Sequence, residues 1–159
     1  MTRHRGGVVW RLLAAALVAL PLVACASHAP PITVAEARAQ VLATERAFAQ
    51  TMADRSLDRF ATFVAPDAIF YSGPTPRVGK AQVVAWWTRY FAGPSPSFSW
   101  EPDDVQVLES GTLALSTGPV RDTTGAIIAR FNSIWRRDAS GAWRIVFDKG
   151  NDVCQCASR

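Results

Sequence analysis

Between Arg130 and Gly150 the chain reads RFNSIWRRDASGAWRIVFDKG, and no other stretch limits the fold so strongly. Two β-rich runs, Ile127 to Arg137 and Ala142 to Asp148, flank Asp138-Ala139-Ser140-Gly141, whose small polar residues and glycine suit a tight reversal. A hairpin is therefore predicted. Alternation puts Phe131, Ser133 and Trp135 with Trp143, Ile145 and Phe147 on one face, which must be buried. The other face carries Arg130, Asn132, Ile134, Arg136, Arg144, Val146 and Asp148. That mixture suits water, a dimer interface or a polar-floored pocket, and which of these it meets bears directly on function.

What precedes the hairpin tells how it is covered. Thr33 and Glu36 have the spacing of a capping box, and Val34, Ala37, Val41, Phe48 and Met52 then recur on one side of a helix reaching about Ala53. Glu36, Arg38, Glu45 and Arg46 are expected on its other sides. Ser56 caps a shorter helix with Leu57, Phe60, Ala61 and Val64 at i, i+3, i+4 and i+7, and Ala65-Pro66-Asp67 is expected to end it. A short strand, Ala68 to Tyr71, and a Pro- and Gly-rich loop, Ser72 to Gly79, lead to a third helix from Lys80 to Phe91. Strands follow at Phe98 to Trp100, Val105 to Glu109 and Leu113 to Val120, ahead of the hairpin. Helices first and strands afterwards predict an α+β domain, a curved antiparallel sheet packed on three N-terminal helices.

The first residues belong to a different problem. Arg3, Arg5 and Arg11 precede or interrupt an apolar run from Val8 to Val23 that ends in Leu22-Val23-Ala24-Cys25. This tetrapeptide resembles the lipobox of bacterial lipoproteins, which implies cleavage before Cys25 and acylation of its thiol and new amino group. The expected organisation is a signal peptide at 1–24, a lipidated tether at 25–32, a domain at 33–150 and a tail at 151–159. Membrane attachment would then run through the lipid on Cys25. With Ala26 rather than Asp after the cysteine, a Gram-negative envelope would place the protein in the outer membrane, facing the periplasm. Without Arg3, Arg5 and Arg11 the chain keeps 14 basic and 13 acidic residues, a net charge of +1. The basic character of the whole precursor thus lies in its leader, and no nucleic-acid partner is expected.

Composition also removes several chemistries. The two histidines are His4, in the leader, and His28, in the tether, so Ser-His and Cys-His nucleophiles are excluded for the domain. There is no Gly-rich phosphate loop, GxSxG elbow or HExxH pair. Cys154 and Cys156, two residues apart, suit a local or intermolecular disulfide better than a metal site. No metal and no cofactor are expected. Any catalysis must use carboxylate or tyrosine groups.

The order helix, helix, strand, helix, meander resembles the nuclear transport factor 2-like superfamily, in its SnoaL-like branch. The resemblance spans about Thr33 to Gly150. It is carried by Ala68-Ile69-Phe70-Tyr71, Gly79-Lys80, Trp100-Glu101-Pro102, Ser110-Gly111-Thr112-Leu113, Ile134-Trp135-Arg136-Arg137 and Gly141-Ala142-Trp143-Arg144. It implies a cone-shaped α+β fold, a pocket between sheet and helices, and a homodimer through the outer face of the sheet. It does not imply catalysis, because the fold hosts enzymes, ligand binders and interaction modules alike. Ketosteroid isomerase, in the same superfamily, uses an Asp base with a Tyr and a protonated Asp as donors. This chain offers Tyr71, Asp67 and Asp148 as residue types, without a motif assigning the roles.

Two functions follow as expectations. One is a lipid-anchored protein binding a small apolar or amphipathic ligand, or a protein partner, with Trp87, Asn132, Trp135 and Arg77 as ligand-contacting candidates. The other is an isomerase- or cyclase-like enzyme with Asp148 as base and Tyr71 as donor. Each residue has a plainer alternative. The tryptophans serve as core, Arg77 is solvated, and Asp148 forms an ion pair with Arg144, Arg136 or Lys149, unless a bulge turns it inward.

Overall fold

The computed structural model describes Thr2, residues 30–71 and residues 73–153; the leader, Cys25, the start of the tether, and Cys154 and Cys156 lie outside the described residues. Three helices, α1 (Val34–Ala53), α2 (Leu57–Phe63) and α3 (Lys80–Phe91), pack on seven strands. These are β1 (Val64–Tyr71), β2 (Arg77–Val78), β3 (Phe98–Trp100), β4 (Asp104–Val107), β5 (Leu113–Asp122), β6 (Ile127–Arg137) and β7 (Trp143–Asp152).

Local sequence sets the helix starts. The Glu36 amide donates to Thr33 Oγ1 at 3.2 Å and the Thr33 amide to Glu36 Oε2 at 2.8 Å, which closes the predicted capping box. The Arg59 amide donates to Ser56 Oγ at the head of α2. Arg55 sits at positive φ after α1, and its guanidinium donates to the carbonyls of Tyr90 and Gly93. It thereby supplies donors to the bare C-terminal carbonyls of α3 and ties two helix ends together.

The sheet runs β2-β1-β7-β6-β5-β3, with β4 also paired to β5. It is mixed, not wholly antiparallel as predicted: β1 and β7 pair in parallel. Antiparallel neighbours can be joined by a tight turn, but β1 and β7 are joined through the rest of the domain, which leaves either direction open. Two further differences lie nearby. Helix α2 ends at Phe63, just before Ala65-Pro66-Asp67, but those residues already belong to β1, which begins at Val64 rather than Ala68 and whose register against β7 slips between Val64 and Ile69. A proline has no amide to give to the ladder, so an irregular stretch is where one is tolerated. The loop before α3 also contains β2, paired with Ile69 and Phe70.

The core lies between the concave sheet face and the helices. Phe48, Phe60 and Trp135 are almost fully buried, Phe60 stacks on Trp87 at 4.8 Å between centroids, and Phe48 meets Trp135 edge-on at 5.8 Å. Such pairs contribute about 0.5–1.5 kcal/mol each beyond area burial. On the convex face Leu115, Ile134 and Phe147 stand in register across β5, β6 and β7, all exposed.

Candidate functional site

The predicted alternation holds along β6, where Phe131, Ser133 and Trp135 are buried, and for β7 only as far as Ile145. Trp135 pairs with Ile145 and Ile134 with Phe147, so Val146 has no partner across the ladder. This is a β-bulge, and the extra residue reverses every side chain beyond it. Phe147, expected in the core, is 43 % exposed on the convex face. Asp148, expected on the mixed face, turns inward opposite Ser133. Gly150 and Asp152 follow it on the inner face, opposite Phe131 and Ala129.

Asp148 has none of the ion pairs available to it on paper. Arg144 pairs with Asp138 and Arg136 with Asp67, while Lys149 points the other way. Its protein partner is Ser133, whose Oγ donates to Asp148 Oδ2 at 2.8 Å. The carboxyl is shielded by protein and reaches water through a cavity that it lines. This desolvation raises its pKa to about 7, the Ser133 hydrogen bond opposes the rise, and the charge of Glu45 adds to it.

Glu45 was expected on a polar side of α1 and is instead fully buried. Its Oε1 accepts from Trp100 Nε1 at 2.9 Å and its Oε2 from Trp135 Nε1 at 2.7 Å. Burial pushes its pKa up; the two indole donors, then the Ser116 and Ser133 hydroxyls beside it, oppose the shift. No cation is paired with it among the described residues. A signal was present in the sequence: Glu45 lies four residues after Val41 and three before Phe48, within the apolar stripe.

The cavity in front of Asp148 measures about 400 Å3, within the range of small-molecule sites. Helix α3 supplies Trp86, Trp87 and Tyr90, and β3 supplies Phe98 and Trp100. Phe48 and Phe131 close the inner side, and Tyr71, Gly73, Val120, Ile128 and Ala129 complete the wall. Two other hollows, of about 490 and 520 Å3, lie over the hairpin turn and beside β1. Among their lining residues the one carboxylate is Asp138, which is engaged in the turn and with Arg144. Of these three hollows, as lined by the described residues, the aromatic cavity is the one that presents a carboxyl without a cationic partner.

Of the residues singled out from sequence, the fold brings Asp148, Tyr71 and Trp87 to this cavity. Tyr71 makes no side-chain hydrogen bond to Asp148 among the described residues, and Trp87 Nε1 is buried without a partner. Trp135 is wholly buried behind the wall, where its indole serves Glu45. Asn132 lies on the convex side of β6 and donates to the Lys149 carbonyl, because it alternates with Phe131 and Ser133. Arg77 does not line the cavity; its guanidinium stacks on Trp86 at 3.7 Å, as that of Arg89 does at 3.5 Å.

Solved structures share this architecture. An NTF2-like protein of unknown function from Pseudomonas putida KT2440 superposes with a TM-score of 0.63 at 18 % identity, covering 75 % of this chain and 88 % of that one. A ketosteroid isomerase-like protein from Erwinia carotovora atroseptica SCRI1043 gives 0.59 at 17 % identity, over 75 % and 98 %. A cystatin-like fold protein from Burkholderia xenovorans LB400 gives 0.62 at 17 % identity, over 76 % and 94 %. At such identities the likeness shows the fold and not the activity. No curated protein matches the chain. The family profile of the SnoaL-like domain matches residues 45–146, from the buried glutamate of α1 to the bulge of β7, and on that match the chain belongs to the SnoaL-like domain family.

Proposed function

We propose that this protein binds a small apolar or amphipathic molecule in the cone between α3 and the sheet, and that the lipid on Cys25 holds it at a bacterial membrane. The observation that carries the first part is the cavity of about 400 Å3, walled by aromatic rings with the Asp148 carboxyl at its inner side. Rings supply apolar contact at low entropic cost, and one carboxyl gives a directional anchor. Native mass spectrometry of the delipidated protein should detect a retained small molecule. Ala129→Trp, which fills the cavity from its wall, should release it with the far-ultraviolet circular dichroism unchanged. Retention by the filled variant would place the ligand elsewhere.

Anchoring rests on Leu22-Val23-Ala24-Cys25 at the end of a short apolar run. Cys25→Ser should abolish acyl labelling and membrane fractionation; labelling that survives the change would refute the lipobox. In a Gram-negative host the outer membrane, facing the periplasm, is the expected address.

A second reading is favoured by the Asp148 carboxyl, whose pKa near 7 is that of a general base poised at neutral pH. In this reading the site acts on a carbonyl compound as an isomerase or cyclase does, with Asp148 taking the proton and Tyr71 donating to the oxygen. Catalysed deuterium exchange beside the carbonyl of an enolisable cyclic ketone, lost in Asp148→Asn, is its signature. Exchange equal in the two proteins would rule out Asp148 as base.

The convex stripe of Leu115, Ile134 and Phe147 supports a homodimer through the sheet, since an exposed apolar row in register is self-complementary across a two-fold axis.

A further inference from the structure

From the charge and chemistry of the wall we infer that the cavity takes an organic cation, an ammonium group on an apolar body. This rests on the ligand-binding reading above and adds the ligand's class. Two observations carry it.

The first is the sign of the charge. Past the Val146 bulge, Asp148 and Asp152 both line the cavity, with Gly150 between them. At about 3.3 Å per residue the two acids span roughly 13 Å along β7, from the inner wall outward. A Cβ on Gly150 would meet nothing within 4 Å, so the space between them is open. Among the described residues that line the cavity there is no lysine or arginine. Arg77 and Arg89, beside one wall residue, are stacked on Trp86.

The second is the wall itself. Trp87, Tyr90, Phe98 and Trp100 present π systems to the space, and indole is the side chain that attracts a cation best. The stacking of two guanidiniums on Trp86 shows the same attraction satisfied within the chain. The ammonium then faces the carboxyls of Asp148 and Asp152, and the apolar body lies against the rings.

The charged and titratable groups around Asp148 are Glu45 from α1, Asp152 on its own strand, and Tyr71 and Tyr90 in the wall from β1 and α3. Binding of a cation therefore strengthens as pH rises and the Asp148 proton leaves.

Three probes of one shape decide the matter: 2-phenoxyethyltrimethylammonium, its neutral carbon isostere 3,3-dimethylbutyl phenyl ether, and 2-phenoxyethanesulfonate. Affinities are read from tryptophan fluorescence and confirmed by ligand-detected NMR. At pH 8.5 the cation should bind at least about tenfold tighter than the ether. The sulfonate should not bind. The margin should shrink at pH 5.5 in the native protein, fall to a smaller and pH-independent value in Asp148→Asn, and be partly reduced in Asp152→Asn. An ether that binds as tightly as the cation, or a sulfonate that binds, overturns the cationic ligand and leaves the apolar cavity standing. Failure of all three probes to bind overturns the ligand-binding reading itself. The pH series on native protein holds independently of whether either variant folds.

Discussion

Ser133 and Asp148 face each other across β6 and β7, and the 2.8 Å hydrogen bond between them exists only because Val146 is bulged out of the ladder. In a regular strand Phe147 would stand opposite the serine side of the hairpin and Asp148 would point to solvent. One inserted residue thus exchanges an aromatic for an acid at the inner wall, and moves the aromatic to the convex face beside Ile134.

Asp148 should make the protein progressively less stable as pH rises toward 7, with the loss levelling off above that. In the fold it keeps its proton to about pH 7, whereas an unfolded aspartate releases it near roughly 3.9. Between those values the unfolded chain binds fewer protons than the folded one, so unfolding free energy falls with pH. Buried Glu45 acts in the same direction. Asp67, Asp103, Asp122 and Asp138, all held below their ordinary range by hydrogen bonds, act oppositely and mostly below about pH 4. Urea unfolding from pH 5 to 8 should show declining stability, with a shallower decline in Asp148→Asn. An unchanged slope in the variant would show that Asp148 titrates normally.

Glu45→Ala should destabilise the fold by about 3 kcal/mol or more, because it strips the acceptors from two buried indoles at about 1–3 kcal/mol each and leaves a void. Glu45→Gln should cost less, since its amide oxygen still accepts from one indole. Denaturant midpoints that rank the two variants the other way would mean that the indoles find other partners.

Gly118→Ala should lower stability by about 1–3 kcal/mol through overpacking. A Cβ at this position would run into the Glu101 carbonyl and the ring of Phe131. Phe131 lines the cavity, so the same substitution should weaken ligand retention. A thermal midpoint equal to that of the native protein would show that the backbone yields at no cost.

Phe147→Lys should dissociate the proposed homodimer. The side chain is exposed at the β7 end of the convex apolar row, where a charge meets the partner's apolar surface, while the cavity side of β7 is untouched. Sedimentation equilibrium should show a dimer for the native domain and a monomer for the variant. A variant that sediments with the native mass would place the interface elsewhere.

Much of the fold was legible in the chain because it is decided locally. The Thr33–Glu36 box, the Ser56 cap, the strand-turn-strand of the hairpin and the buried face of β6 each depend on residues within a few positions. The order of the helices and of every strand but β2, and the α+β class, followed from periodicity together with cap and turn signals. Three features that make the site did not. The parallel pairing of β1 with β7 joins segments separated by the rest of the domain. Glu45 lies within the apolar stripe of α1, but the two indole donors that satisfy it there arrive from 55 and 90 residues away, and no helix periodicity reports them. Asp148 faces the cavity because of a register slip, and alternation counted along one strand is blind to a residue missing from its partner. Sequence determined which elements form and which faces are apolar. Tertiary structure decided which carboxyls lie inside, because that depends on how distant segments register against one another.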